Sequence, residues 1–358
     1  MKTHGSLTVN LFLAAGIVLL HSSHAVAGKA VSRVEYRIQH VINLATLGYH
    51  HVRFSRDSRR FVTITEGSHD FWVRDIATAK VVAHWHNQEL ELSRELHFLG
   101  HYRIASLSSP TDGASNTIII WNWSLNSIEW RIVLPGISIH YFAVSPDGTY
   151  LAATCSDGSL RIWSISNRKL VRIINVQPRG NLIDVDFSPD GTMVATTDMK
   201  SAKLWKWRRS EKVLAISGVW NRIQFDTTGR YLVFGANRRD QIAVWDIKCR
   251  REITRFALPG MGPVNFAIVP NGFIVAVVGA LSSRTPNLSN PGIRFVDIRN
   301  GKFHAELQRD GSLFLDVEFS PDGQWFGAAS IGGRVQVWRL IDPTRLKRGK
   351  AGCAGRNK

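Results

Sequence analysis

One motif recurs along this chain at nearly constant spacing, and that recurrence constrains the fold more than any other feature. FAVSPDGTYLAATCSDGSLRIWSI occupies 142–165, VDFSPDGTMVATTDMKSAKLWKW 185–207 and VEFSPDGQWFGAASIGGRVQVWRL 317–340. Looser copies follow the same template: VRFSRDSRRFVTITEGSHDFWVRDI at 52–76 and IQFDTTGRYLVFGANRRDQIAVWDI at 223–247. Two more are interrupted. FAIVPNGFIVAVVGA starts at 266 and resumes as IRFVDI at 293–298, and LHFLGHYRIASLS starts at 96 and resumes as IIIWNW at 118–123. The position that closes each copy is held by Arg74, Trp121, Trp163, Trp205, Trp245, Val296 and Trp338, in steps of 47, 42, 42, 40, 51 and 42 residues. At 358 residues the length alone suggests two or three domains, but a repeat array can form one unit.

Each copy has a physical reading. Ser145–Gly148, Ser188–Gly191 and Ser320–Gly323 spell Ser-Pro-Asp-Gly, a tight turn. Proline presets φ, aspartate bonds nearby backbone, and glycine takes the left-handed position. The flanking runs, such as Tyr150 to Thr154 and Arg161 to Ile165, alternate with period two, as strands do. The recurrent tryptophan falls on a strand face where a large ring fills the gap to a neighbouring unit. This accounts for much of the unusual total of 12 tryptophans.

These seven copies resemble the WD-repeat (tryptophan–aspartate repeat) family, over about residues 31–343. The resemblance implies an all-β fold: a seven-bladed β-propeller of four-stranded blades. The last copy ends near Leu340 without a fourth strand, while Val31–Val41 alternates ahead of the first copy. That N-terminal strand is assigned to close the last blade and leave no open ring edge. The chain departs from the family in detail. Only Trp245-Asp246 spells the dipeptide, Gly48-Tyr-His50 is the nearest approach to the Gly-His pair, and the turn aspartate is matched cleanly only by Asp157. Blades held mainly by apolar packing, without the family's buried hydrogen-bond network, are therefore expected. Bacterial propeller families with similar blades are the alternative.

Composition bears on compartment and partners. With 44% hydrophobic residues the chain can bury a large core and is not disordered, and three cysteines are too few for a disulfide scaffold. Residues 1–27 read as a signal peptide: Lys2, the ten-residue apolar run Leu11–Leu20, and Ala25-Val26-Ala27 ahead of the cut. An uncleaved anchor is the alternative, and no later stretch reaches the 18 apolar residues of a membrane helix. The division expected is 1–27 signal, 28–343 propeller and 344–358 basic flexible tail, in an exported protein, periplasmic or extracellular. Loss of Lys2 takes the net charge from +17 to +16, six of it in the acid-free stretch Arg345–Lys358.

In such a blade the first-to-second and third-to-fourth turns share one face. That face collects Arg168, Lys169, Arg208, Arg209, Lys248, Arg250, Arg251, Arg299, Lys302, Arg56, Arg59, Arg60 and Arg230, and the tail leaves from it with Lys347 and Arg348. Arg208, Arg209, Arg250, Arg251, Lys347 and Arg348 are the candidates for binding an anionic envelope polymer or lipid surface, against the reading of an ordinary solvated hairpin surface. Nucleic acid is disfavoured by export and by the lack of an aromatic-basic recognition motif. The opposite face has the long loops Ser108–Asn116 and Gly279–Gly292, with Trp85, Trp220 and Met261 expected in between-blade loops as anchors for a protein partner. His84 and His86 could meet a metal, but no carboxylate or cysteine spacing supports one, so no metal is assigned.

No nucleophile elbow or glycine-rich phosphate loop is present, so neither catalysis nor a cofactor is assigned. The competing reading is a propeller enzyme or small-molecule binder in which Asp184, Asn221, Asn265 and Asp316 converge on the central channel. Cys155 and Cys249 fall on opposite faces, whereas Cys249 with Cys353 is geometrically possible. The function expected is a non-catalytic scaffold that binds a protein partner.

Overall fold

The computed structural model describes residues 17–19, 37–45, 50–65, 70–86, 95–108, 115–177, 182–198, 200–218, 222–236, 241–258, 261–270, 272–281, 292–307, 313–330 and 333–341. Six four-stranded antiparallel sheets and one larger sheet follow one another as seven blades. Their innermost strands are His50–Phe54, Leu96–Phe98, Ile139–Val144, Leu182–Phe187, Arg222–Phe225, Met261–Ile268 and Phe314–Phe319, here blades 1 to 7 in chain order.

The turn chemistry that was legible in the sequence forms the inner hairpins of blades 1, 3, 4 and 7. In blade 3 the Ser145 hydroxyl donates to Asp147 (2.5 Å) and accepts from the Tyr150 amide (2.9 Å), while Gly148 sits at φ 73°. Blades 4 and 7 repeat the arrangement through Ser188 with Asp190 and Ser320 with Asp322, both at 2.6 Å. Blade 1 keeps it with Ser55 and Asp57, placing Ser58 where the glycine would be, at φ 54°.

Apolar alternation then does the packing. Among the described residues seven apolar clusters form, one at each junction between consecutive blades. Trp121, Trp163, Trp205 and Trp338 are buried in them, as are Arg74 and Val296 at the same repeat position. In every blade the pairing of the third strand with the outer strand shifts register beside this position. A bulge there gives the outer strand an extra residue and strengthens the local twist.

The ring closes as the N-terminal alternation suggested, a few residues further along. The strand Arg37–Ala45 pairs antiparallel with Arg334–Ile341 and supplies the outer strand of blade 7. Residues 31–36 of the expected clasp lie outside the described residues. Ile17–Leu19 adds an edge strand to Arg37–Gln39. Cleavage after Ala27 would remove that edge strand and leave the clasp itself. Ile42 and Leu44 of the clasp pack with Val52, Phe54 and Phe61 of blade 1 and with Val335 and Val337 of blade 7.

Truncating a clasp side chain should therefore weaken the whole ring. Ile42 is 4% exposed, and Ile42→Ala should cost about 2–4 kcal/mol in chemical denaturation. Val82, on the outer strand of blade 1 and 44% exposed, should change stability by about 0.5 kcal/mol or less when cut to alanine. Equal effects at the two sites would show that closure is not limiting.

Candidate functional site

Counting back from the turn serine, or the residue in its slot, aligns the seven innermost strands. Four residues back stand His51, Glu95, Tyr141, Asp184, Arg222, Asn265 and Asp316; two back stand Arg53, His97, Ala143, Asp186, Gln224, Ala267 and Glu318. Most of these line a cavity of about 90 Å³ in the central channel. Period-two alternation puts both rings on one side of their strands, and the ring two back lies nearer the turns.

The carboxylates of these rings tie each blade to the next. Asp184 accepts from the Ile223 amide (2.8 Å) and Asp186 from the Phe225 amide (2.8 Å), joining blade 4 to blade 5. Asp316 accepts from the Val52 amide (3.2 Å) and Glu318 from the Phe54 amide (2.8 Å), joining blade 7 to blade 1. Arg53 donates to Asp316 (2.5 Å), to Glu95 of blade 2 (3.0 Å) and to the Val52 carbonyl (2.8 Å). Asn265 of blade 6 donates to the other Asp316 oxygen (3.0 Å). One hydrogen-bonded chain thus spans blades 6, 7, 1 and 2. His51 stands 3.3 Å from Asp316, and His97 3.0 Å from Glu95.

Burial and charge divide the five acids into two groups. Burial pushes Glu95 and Asp316 upward, but Arg53 and the adjoining histidines reverse this and hold both well below the usual carboxylate range. For the others burial wins. Asp184 is raised well above its usual value, Asp186 to about 7 and Glu318 to about 8, despite the amides that bond them. Near neutral pH the channel therefore sets Arg53 and Arg222 against Glu95 and Asp316, with Glu318 largely protonated. Arg222 is pulled below its usual value, chiefly by burial; it lies over the Tyr141 ring at 5.0 Å, and Asp184 is 4.0 Å away.

This network adds buried polar bonds to the apolar packing that was expected to hold the blades in the main. The family's dipeptide is scarce, but carboxylates at fixed spacing from the turn serine supply buried polar bonds instead. Their signal is present in the sequence as LIDVDFSPDG (182–191) and FLDVEFSPDG (314–323). Asp184, Asn265 and Asp316 do converge on the channel, while Asn221 lies outside the described residues.

The other candidates separate. Trp85 is not a free loop anchor. It sits on the outer strand of blade 1 (Val81–His86), half-buried, stacked on Trp121 (centroids 4.5 Å) and Phe71 (5.5 Å), because the bulge beside Arg74 turns its ring inward. Met261 opens the innermost strand of blade 6 rather than lying in a loop, and pairs with Leu281. Trp220, Lys347 and Arg348 lie outside the described residues. His84 and His86 share the Asp70 carboxylate, at 2.7 and 3.1 Å.

On the turn face, Arg230 is paired with Asp246 (2.8 Å) and Arg299 with Asp297 (2.6 Å). No described carboxylate reaches ion-pair distance of Arg208, Arg209, Arg250 or Arg251. Arg208 lies over the rings of Trp207 (4.3 Å) and Tyr150 (5.3 Å). Cys249, in the outer turn of blade 5, is disulfide-bonded, whereas Cys155 is free and buried.

The raised acids give the fold a pH dependence with a definite sign. Between the unfolded values of 3.8 and 4.5 and the folded values of about 7 and 8, the folded state binds more protons than the unfolded one. Their contribution is therefore fully present below about pH 4 and is lost as the pH rises through about 8. Denaturation midpoints measured against pH should fall across that window. The pair Asp186→Asn with Glu318→Gln should flatten the fall, and an unchanged slope in that double variant would contradict it.

Comparison with known proteins agrees with this architecture. The WD40 family profile (WD domain, G-beta repeat) matches residues 133–164 and 303–339. The chain is 22% identical over 255 residues to Protein tipD of Dictyostelium discoideum, covering 58% of this chain and 41% of that one. It is 29% identical over 199 residues to the Protein LST8 homolog of Drosophila pseudoobscura pseudoobscura, covering 54% and 60%. It is 27% identical over 100 residues to the Target of rapamycin complex subunit LST8 of Bos taurus, covering 26% and 31%. The match thus spans less than two thirds of each of these relatives. With seven blades of one repeat, two of them reached by the WD40 family profile, the chain is a seven-bladed β-propeller whose repeats are similar to those of the WD-repeat family.

Proposed function

We propose that this chain is an exported, non-catalytic propeller that acts as a protein-binding platform. WD-repeat propellers are typical of protein-interaction scaffolds, and one of the relatives is by its name a subunit of a complex. The observation that carries the reading is the use of the channel acids. Asp184 and Asp316, the groups best placed for acid–base work, hold backbone amides of the next blade. A carboxylate committed to the scaffold in this way favours binding by surfaces over chemistry in the channel.

Export rests on residues 1–27 and on Cys249. A disulfide-bonded cysteine belongs to an oxidising compartment, where such bonds persist. No helix among the described residues is long and apolar enough to cross a membrane.

The second reading, an anionic polymer or lipid surface bound by the turn face, draws on Arg208, Arg209, Arg250 and Arg251. Their lack of described carboxylate partners leaves these four charges uncompensated on one side of the ring.

Crosslinked pull-down of the tagged chain from an exported fraction, with and without a high-salt wash, distinguishes the two. A discrete protein partner should survive salt, because apolar contacts are little screened. Recovery of salt-labile anionic material alone would overturn the platform reading. N-terminal sequencing of the recovered chain should begin at Gly28, and an intact Met1 would refute cleavage.

A further inference from the structure

A second cavity, of about 360 Å³, opens at the channel mouth on the turn face. It exists because blade 2 breaks the repeat. In blade 1 the turn bond runs from the Ser55 amide to the Arg60 carbonyl, whereas in blade 2 it runs from Leu99 to Arg103, one residue shorter. The Ser-Pro-Asp-Gly turn is thus missing from blade 2, and a notch is left between its neighbours. Pro146 of blade 3 and Pro321 of blade 7 wall the notch together with Phe54, Phe98 and Val144.

Arg56 of blade 1 crosses this gap. It occupies the slot that proline fills in blades 3, 4 and 7, and its Nη2 donates to the Ser145 carbonyl of blade 3. Its guanidinium lies so close to Gly148 that a Cβ there would meet Nη1 at 2.9 Å. No described carboxylate lies within ion-pair distance of it. Burial pulls its pKa down, and the Asp147 charge, which lies beyond ion-pair distance, offsets this only in part. Arg53 is different: its guanidinium is already engaged by Asp316 and Glu95. The cavity, which Arg53, His97 and the Glu318 carboxyl also line, therefore combines an apolar wall with a guanidinium, that of Arg56, that has donors to spare and no described carboxylate within ion-pair distance.

We infer that this mouth cavity binds a carboxylate carried on a short apolar stem, with the Arg56 guanidinium as its anion partner and the notch of blade 2 as its apolar pocket. Guanidinium and carboxylate match as a planar two-bond pair, and the bond is strengthened where water is excluded. Two sources present this chemistry: the C-terminal carboxylate of a chain ending in an apolar residue, or a free small acid. The inference stands apart from the platform reading, since the free acid needs no protein partner.

The test uses the full chain and N-acetyl-leucine, titrated by ligand-detected NMR beside its carboxamide and an octapeptide ending in leucine. The acid should bind and the carboxamide should bind about tenfold more weakly or not at all. Arg56→Gln should lose about the same factor, while Lys212→Gln, on the outer strand Glu211–Ser217 of blade 4, should leave binding unchanged. Circular dichroism checks that Arg56→Gln folds, and the acid-to-carboxamide comparison needs no variant. An octapeptide tighter than N-acetyl-leucine assigns the site to a chain end; equal affinity assigns it to a free acid. Equal binding of acid and carboxamide, no binding by either, or an equal loss in Lys212→Gln would each overturn the inference.

Discussion

Everything in this molecule depends on the ring being closed by a strand from the wrong end of the chain. Blade 7 has three strands from residues 314–341 and takes its fourth from Arg37–Ala45. Each apolar cluster lies between two blades, so no blade buries its own faces. A ring with one junction open would expose two such faces at once, along with the edge of Arg334–Ile341. The clasp removes both liabilities with contacts far apart in sequence, which gives the ring the cooperativity of one domain although it is built from seven copies.

The same junction carries the densest polar network. Arg53, Asp316, Glu95 and Asn265 connect four blades across the closure point, and they do so almost fully buried. A buried ion pair alone is weak evidence of stabilisation, because desolvation offsets attraction. Its value here is geometric. Asp316 accepts from Arg53, from Asn265 and from the Val52 amide, so a shift of one innermost strand by one residue would leave several buried groups unpaired. The network therefore favours one register of blade 7 on blade 1. Blades 4 and 5 repeat the device with Asp184 and Asp186, to which no described arginine is hydrogen-bonded, and burial raises both carboxyls above their usual range instead.

How much of this was legible in the sequence follows from the range of each interaction. Turns are local, so Ser145 to Gly148 announces its own hydrogen bonds. Strands are nearly local, because period-two alternation survives in every copy. The clasp was legible because the last copy lacked a strand and an alternating segment was spare, though its described part, Arg37–Ala45, runs past the expected end at Val41. Asp184 and Asp316 stood out by their place near the start of innermost strands, but their bonds to the next blade were not legible, since an aspartate on a strand looks the same whether it faces solvent or a neighbour's amide. Only comparison of its distance from the turn serine across copies separates Asp184 and Asp316 from surface acids. Trp85 failed for a related reason: a ring in a segment read as a loop looks available, and the outer-strand bulge that turns it onto Trp121 has no sequence mark.

Departures from the repeat are the places where this chain differs from a generic ring. Consistency among copies serves folding, so a copy that breaks the pattern without losing its place in the ring has been released from that constraint. Blade 2 departs most. It shortens the inner turn at Leu99, which opens one face, and it ends its second strand at Ser108 ahead of a long loop on the other. Blade 1 departs beside it, by setting Arg56 where other copies hold proline. Either change alone would have little consequence. A missing turn leaves an apolar notch, and an arginine for proline adds one more charge to a basic face. Together they place a half-buried cation beside a hollow with an apolar wall at the mouth of the channel, a combination that the folding of the ring does not require.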